Sequence, residues 1–150
     1  MGWTISNDYR VLTICCAAVA VGLLAVGVVI DELFRQIAQT VPLWIAVALG
    51  VRQSGLAKWA ALPCLVFWLV VVAAIWLYVL GLARFVHGSY TTTEIVVTVI
   101  IGLAGVAGIG RALGIASQVP LVHALGVVAG TAVLQILVFQ VSVWPTMAHR

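Results

Sequence analysis

The sequence predicts an all-helical membrane protein, a bundle of four transmembrane helices with a further segment that is either a fifth span or a re-entrant element. Apolar residues make up 65% of the 150-residue chain and charged residues only 7%, whereas a soluble domain is about 45–50% apolar and about 25% charged. The apolar residues also come in long uninterrupted blocks, which is not the alternating core pattern of a soluble fold. We therefore treat residues 1–150 as a single membrane domain.

The first uncharged block predicts a transmembrane helix over about residues 11–30. At 1.5 Å per residue it covers about 30 Å, which matches the hydrocarbon thickness of a bilayer. The block is longer than the apolar core of a signal peptide, and Asp31 and Glu32 follow it instead of a small-residue cleavage site. It is therefore expected to be a retained span.

Residues 31–51 form an ambiguous segment. Leu33, Phe34 and Ile37 recur at helical spacing among polar residues, which is typical of an amphipathic helix at the membrane interface. The second half of the segment is apolar but too short to span by itself, and Pro42 removes a backbone donor near its start. Two structures remain open, a kinked fifth span and a re-entrant segment.

Three later blocks predict spans over about residues 59–82, 95–116 and 121–143. Thr91 and Glu94 have the spacing of a capping box just before the third span. The tight turn between the last two spans predicts that they pack as an antiparallel hairpin. With four spans the seven Lys and Arg residues divide three against four between the two membrane sides, so the orientation stays open. A fifth span would put the N-terminus inside.

Small residues predict where the helices meet, because close packing holds helices together in lipid. In the third span they form two opposite faces, which predicts a central position for this helix. The fourth span carries a GxxxG pattern. We expect these residues to pack within the bundle, with a homodimer contact or a flexible hinge in a transport cycle as the alternatives. The predicted helix-packing residues are Gly102, Gly105, Ala112, Gly126 and Gly130.

Polar residues in the last two spans are the candidate ligand contacts. Thr131, Gln135 and Ser142 share one face of the fourth span, and an unpaired amide near mid-membrane is costly. Arg111 and His123 are expected to meet at one membrane face through the short turn. The structural interpretation is an interhelical hydrogen bond for Gln135 and a snorkelling side chain for Arg111. The functional interpretation is a substrate or ion contact, or a site for a small anion or lipid headgroup.

The chain lacks the residue patterns expected of an enzyme, a metal site or a haem site. It contains no phosphate-binding glycine loop, no HExxH sequence and no nucleophile elbow. Cys15, Cys16 and Cys64 lie inside apolar blocks and are expected to be small buried hydrophobes. His87 and His123 fall at opposite faces, so they cannot ligate one haem together. The sequence predicts no catalytic residue, cofactor or metal, and its scattered cations predict no nucleic-acid binding.

The lack of catalytic groups and the small-residue faces together predict a non-catalytic subunit or scaffold of a membrane complex. Its partners would be the lipid bilayer and either a second copy of the chain or a larger membrane protein. The alternative is a small homo-oligomeric transporter or channel, in which Gln135, Thr131, Arg111 or Asp31 lines a path. A retained first span and short loops favour a cell membrane, in particular a bacterial inner membrane.

Overall fold

Every element of secondary structure in the described part of the chain is an α-helix. The computed structural model describes residues 2–82, 91–116 and 118–142, with side chains from residue 7 onward. Each of its helices is long and apolar enough to cross a bilayer. The five helices are α1 (Gly2–Val29), α2 (Leu33–Val51), α3 (Ala57–Val79), α4 (Thr92–Gly114) and α5 (Leu121–Ser142).

The ambiguous segment of the sequence, residues 31–51, contains one continuous helix of 19 residues. At 1.5 Å per residue α2 is about 28 Å long, close to the thickness of the hydrocarbon layer. The helix continues through Pro42 without interruption. The described residues therefore form five helices of membrane-spanning length, not four.

α2 is amphipathic, but its polar face points into the bundle. Gln36, Gln39 and Thr40 are buried, whereas Phe34 and Ile37 are 86% and 47% exposed. A helix in water would bury the phenylalanine and expose the glutamines. Turning apolar residues outward and polar residues inward is the arrangement that a lipid solvent favours. The interfacial interpretation required these glutamines to face the headgroups. In the structure they face the inside of the bundle instead.

The other helix boundaries follow the sequence prediction closely, except that α1 begins at Gly2 and not near residue 11. The last residue of the predicted fourth span, residue 143, lies outside the described residues. At the start of α4 the Glu94 N–H donates to Thr91 Oγ1 at 3.3 Å, and the Thr91 N–H donates to the Glu94 carboxylate at 2.6 Å. The predicted capping box is therefore confirmed.

α3 is the central helix, because it contacts each of the other four. Small side chains in its first two turns let its neighbours approach closely. Four of them are fully buried, namely Ala57, Ala60, Ala61 and Cys64. The sequence placed the glycine-rich α4 at the centre, but within the described residues α4 contacts only α1 and α3. That placement is wrong, because α3 contacts all four other helices with its own small side chains, and glycine content alone does not identify the central helix.

α4 and α5 lie on opposite sides of α3 and do not contact each other within the described residues. Leu65 of α3 faces a glycine of α4, while Phe67 packs edge-on against Phe139 of α5 with ring centroids 5.3 Å apart. Leu65 and Phe67 are two residues apart, which corresponds to a rotation of about 200° around the helix. Their side chains therefore point in nearly opposite directions. The predicted hairpin of the last two spans is wrong, because α3 lies between α4 and α5.

Glycines mark the closest contacts between helices. A Cβ at Gly22 of α1 would lie 2.9 Å from Ile101 of α4, and one at Gly27 would lie 2.6 Å from Gln36 of α2. These distances are shorter than van der Waals contact in a packed interior. Any larger residue at these positions would have to displace its neighbour.

Replacing Gly108 by leucine should destabilise the fold, because a Cβ there would lie 2.8 Å from Leu65 and 3.1 Å from Cys15. We expect the free energy of unfolding to fall by about 2 kcal/mol or more. Gly110 is the matched control, since no described atom of another helix lies within 4 Å of its Cβ position. Gly110→Leu should change the free energy of unfolding by less than about 1 kcal/mol. Thermal unfolding of both variants in the same lipid measures the difference, and equal stability would contradict the assigned packing face.

Candidate functional site

Buried polar side chains lie where α5 packs against α2 and α3, and we name four of them the polar seam: Gln39 of α2 with Thr131, Gln135 and Ser142 of α5. Their exposures are 2%, 8%, 1% and 1%. The three α5 residues share one helical face, as the sequence predicts, and that face is the buried one. Gln140, elsewhere on α5, is exposed. The polar seam therefore lies inside the bundle and not at its lipid surface.

One hydrogen bond joins the two helices of the polar seam. The Gln39 amide Nε2 donates to Ser142 Oγ at 2.6 Å. The Ser142 hydroxyl donates in turn to the Phe139 carbonyl of its own helix at 2.6 Å, so its oxygen is available as an acceptor. A hydrogen bond between membrane helices contributes about 0.6–2 kcal/mol. The interhelical bond of α5 thus involves Ser142, whereas the sequence placed it at Gln135.

Gln135 is the exception in the polar seam, because neither its Oε1 nor its Nε2 has a hydrogen-bond partner among the described residues. α5 contacts α2 and α3 and no other described helix. A side chain of α5 that is 1% exposed therefore lies between these three helices. A buried amide without partners costs about 1–3 kcal/mol. An unsatisfied group of this kind in a protein interior points to a bound molecule.

Thr131 supplies an acceptor at the inner end of the polar seam. Its hydroxyl donates to the Val127 carbonyl, one turn earlier in α5, at 2.5 Å. This bond within the helix uses the hydroxyl proton and leaves the oxygen able to accept a further hydrogen bond. Gln135 lies one helical turn beyond Thr131 on the same face.

Breaking the contact between Gln39 and Ser142 should weaken the packing of α5 on α2. Ser142→Ala removes the acceptor of the Gln39 amide, and we expect a loss of about 1 kcal/mol in the free energy of unfolding. Gln140→Ala, on the exposed side of α5, is the matched control. The double variant Gln39→Leu with Ser142→Ala should lose less than the sum of the two single losses in thermal unfolding. Additive losses would show that the two side chains do not interact.

Arg111 and His123 are not brought together. Arg111 Nη1 forms an ion pair with Asp8 Oδ1 of α1 at 3.2 Å, and the arginine side chain is 57% exposed. His123 is exposed in the first turn of α5, a helix that does not contact α4 within the described residues. An exposed ion pair contributes about 0–1 kcal/mol. Sequence reasoning missed Asp8 because the predicted first span began after it.

Lys58 is a buried cation that the sequence marked only as the boundary of a span. Its Nζ donates to the Ile115 carbonyl at the end of α4 at 2.7 Å, and it lies 4.6 Å from the centroid of the Trp59 ring. The last carbonyls of a helix lack intrahelical donors and carry a partial negative charge, so they stabilise an ammonium group. Lys58 therefore ties the start of α3 to the end of α4.

The predicted helix-packing residues divide into an inner and an outer group. A Cβ at Gly102 or Gly105 would lie 3.5 Å or 3.0 Å from a side chain of α3, and Ala112 is fully buried. Gly126 and Gly130 are exposed, and no described atom of another helix lies within 4 Å of their Cβ positions. The GxxxG pattern of α5 therefore faces away from the bundle.

The acidic and cysteine side chains do not assemble a second site. No three His, Cys, Asp or Glu side chains among the described residues lie close enough to hold a metal ion. Asp31 is exposed in the turn after α1, and Glu32 pairs with Arg35 at 2.6 Å. The three cysteines are free and buried, and His87 lies outside the described residues. The polar seam carries no ionisable side chain, so it can donate and accept hydrogen bonds only.

A comparison with known proteins finds no matching family model, no matching curated protein and no matching solved structure. Function is therefore inferred from the geometry of this chain. Two features of the described residues call for an explanation, the unsatisfied amide of Gln135 and the outward position of Gly126 and Gly130.

Proposed function

We propose that this chain is a multi-pass membrane protein in which all five helices cross the bilayer. The support is the apolar outer surface of the helices, which requires an apolar solvent. Phe34, Val122 and Leu103 are 86%, 80% and 68% exposed. In water each Å² of such apolar surface costs about 25 cal/mol, whereas lipid tails are as apolar as leucine. We propose the cell membrane as its location, and a bacterial inner membrane in particular, in keeping with the short connections between helices.

Within that membrane we assign the chain a non-catalytic role, as a subunit or scaffold of a larger membrane complex. The observation that carries this role is the outward position of small residues on two helices. No described atom of another helix lies within 4 Å of the Cβ positions of Gly110 and Gly114 on α4 or of Gly126 and Gly130 on α5. A glycine that faces lipid gives up dispersion contacts, whereas one that faces a helix lets two backbones approach closely. These faces suit a helix of a second protein.

The inner glycines provide the contrast. Cβ atoms at Gly22, Gly27 and Gly108 would lie 2.9, 2.6 and 2.8 Å from side chains of neighbouring helices. The bundle uses these three positions for its own packing. The four outer glycines make no such contact with another of the five helices. They remain available to the helix of a partner, and this supports a role in a complex.

A second candidate function, a small homo-oligomeric transporter or channel, is favoured by the unsatisfied amide of Gln135. An amide that donates and accepts hydrogen bonds suits transient contact with a solute. The outer glycines of α5 would then pack against a second copy of the chain. Thr131 lies on the same seam, whereas Arg111 and Asp31 lie near helix ends outside it.

Gentle extraction of the tagged protein from its native membrane, after light crosslinking, tests the subunit role. We expect a larger membrane protein to co-purify in stoichiometric amount and to be identified by mass spectrometry. The double variant Gly126→Leu with Gly130→Leu should retain about tenfold less of this partner, because two leucines prevent close helix approach. Ala73→Leu, a change of the same kind on the exposed side of α3, is the matched control and should retain the partner.

Two results would count against this role. A homo-oligomer with no second protein would overturn it in favour of transport, and solute flux into liposomes with the wild type and Gln135→Leu would then be compared. A partner that the glycine variant and the Ala73 variant retain equally would show that the α5 glycines are not its binding surface.

A further inference from the structure

We propose that the polar seam is a blind, hydrated pocket that holds small uncharged hydrogen-bonding molecules, with water as the resident one, against the Gln135 amide. The pocket goes beyond the subunit and transport roles and requires neither of them. It follows from the burial and the missing partners of polar atoms in the described part of the chain.

The polar seam runs from one end of the bundle towards its middle. Ser142 is the last residue of α5, and its partner Gln39 lies in the second turn of α2. At 1.5 Å per residue, Gln135 lies about 10 Å and Thr131 about 16 Å further along α5 from Ser142. The hydrocarbon layer is about 30 Å thick, so the polar seam reaches its centre from one side.

The other half of the same contact is apolar. The next buried residue towards the start of α5 is Ala124, and the buried residues deeper along α2 include Leu43 and Ala46. Their exposures are 1%, 0% and 2%. No buried polar side chain described on α2 or α5 continues the seam to the far end of the bundle. The buried polar side chains of α2 and α5 therefore stop near the middle of the bundle, which favours a closed pocket over a through-channel.

The Gln135 amide requires a molecule that both donates and accepts. Its Oε1 lacks a donor and its Nε2 lacks an acceptor among the described residues. The Thr131 oxygen can accept one further hydrogen bond, since the hydroxyl proton already goes to the Val127 carbonyl. Water meets both requirements and is the usual partner of buried polar groups, at about one buried molecule per 27 residues. Alcohols and amides share the same chemistry.

A second unsatisfied donor lies on α3, a helix that packs against α5. The Trp68 indole Nε1 is buried and has no acceptor among the described residues. Trp68 follows Phe67, whose ring contacts Phe139 of α5, and the Trp68 ring lies edge-on at 5.5 Å from the Phe67 ring. Buried polar groups of this kind are usually satisfied by ordered water.

The composition of the pocket selects against ions. No residue of the polar seam is ionisable, and the buried Lys58 and Glu94 are engaged at opposite ends of α4, with the Ile115 carbonyl and with Thr91. An ion in an apolar interior without a countercharge carries a large desolvation cost. The ligand class is therefore uncharged.

Water-edited solid-state NMR tests the pocket, using the full 15N-labelled chain in liposomes of phosphatidylcholine and phosphatidylglycerol. The Gln135 Nε2 signal is assigned by its loss in Gln135→Leu. We expect magnetisation from water to reach Gln135 Nε2 as fast as it reaches the exposed Gln118 side chain. It should arrive several-fold faster than at the backbone nitrogen of Leu137, which is exposed to lipid at similar depth. Transfer to Gln135 as slow as to Leu137 would overturn the proposal.

Thermal unfolding is a second, independent readout. If the Gln135 amide were dry and unsatisfied, Gln135→Leu would remove its penalty and raise the unfolding temperature by about 4 °C or more. If the amide is hydrated, the leucine replaces a satisfied group and the unfolding temperature should not rise. Gln140→Leu, on the exposed side of α5, is the matched control for added apolarity. A rise for Gln135→Leu beyond that of the control would overturn the proposal.

Discussion

The fold depends on one constraint, that helices in a lipid solvent gain little by burying apolar surface. Close contact and internal hydrogen bonds must hold them together instead. α3 meets this constraint with small, fully buried side chains in its first two turns, and it contacts each of the other four helices. The neighbours contribute glycines of their own, such as Gly108 against Leu65. The positions of α1, α2, α4 and α5 follow from these contacts with the central helix and with one another.

The same solvent decides where the polar groups lie. Lys58 donates to the end of α4, and Gln39 of α2 meets Ser142 of α5. α2 turns its glutamines inward and Phe34 outward. Gln135 departs furthest from this pattern, because both polar atoms of its side chain are buried without a partner in the described part of the chain, whereas Gln36 and Trp68 each leave one such atom. The pocket is assigned to Gln135 because its amide oxygen and nitrogen find no hydrogen-bond partner among the described residues.

The sequence predicts what is local and misses what depends on packing. The extents of α3, α4 and α5, the end of α1 and the capping box at Thr91 and Glu94 follow from apolar length and residue spacing. The centre of the bundle does not, because α3 is apolar on every side and lacks the periodicity that separates a protein-facing from a lipid-facing side. Helical spacing likewise predicts the α5 half of the polar seam, but not Gln39, since most glutamines are exposed. Asp8 and Arg111 are 103 residues apart, so no local pattern links them.

The two termini of a chain that crosses the membrane five times lie on opposite sides of it. Locating both termini therefore tests the number of crossings. Small epitope tags at each end of the full chain, probed by protease protection in intact native membranes, give the answer. Five crossings place the tags on opposite sides, with the N-terminal tag on the cytoplasmic side. Tags on the same side would contradict five crossings. They would mean that one helix does not cross, and α2 would be the first candidate.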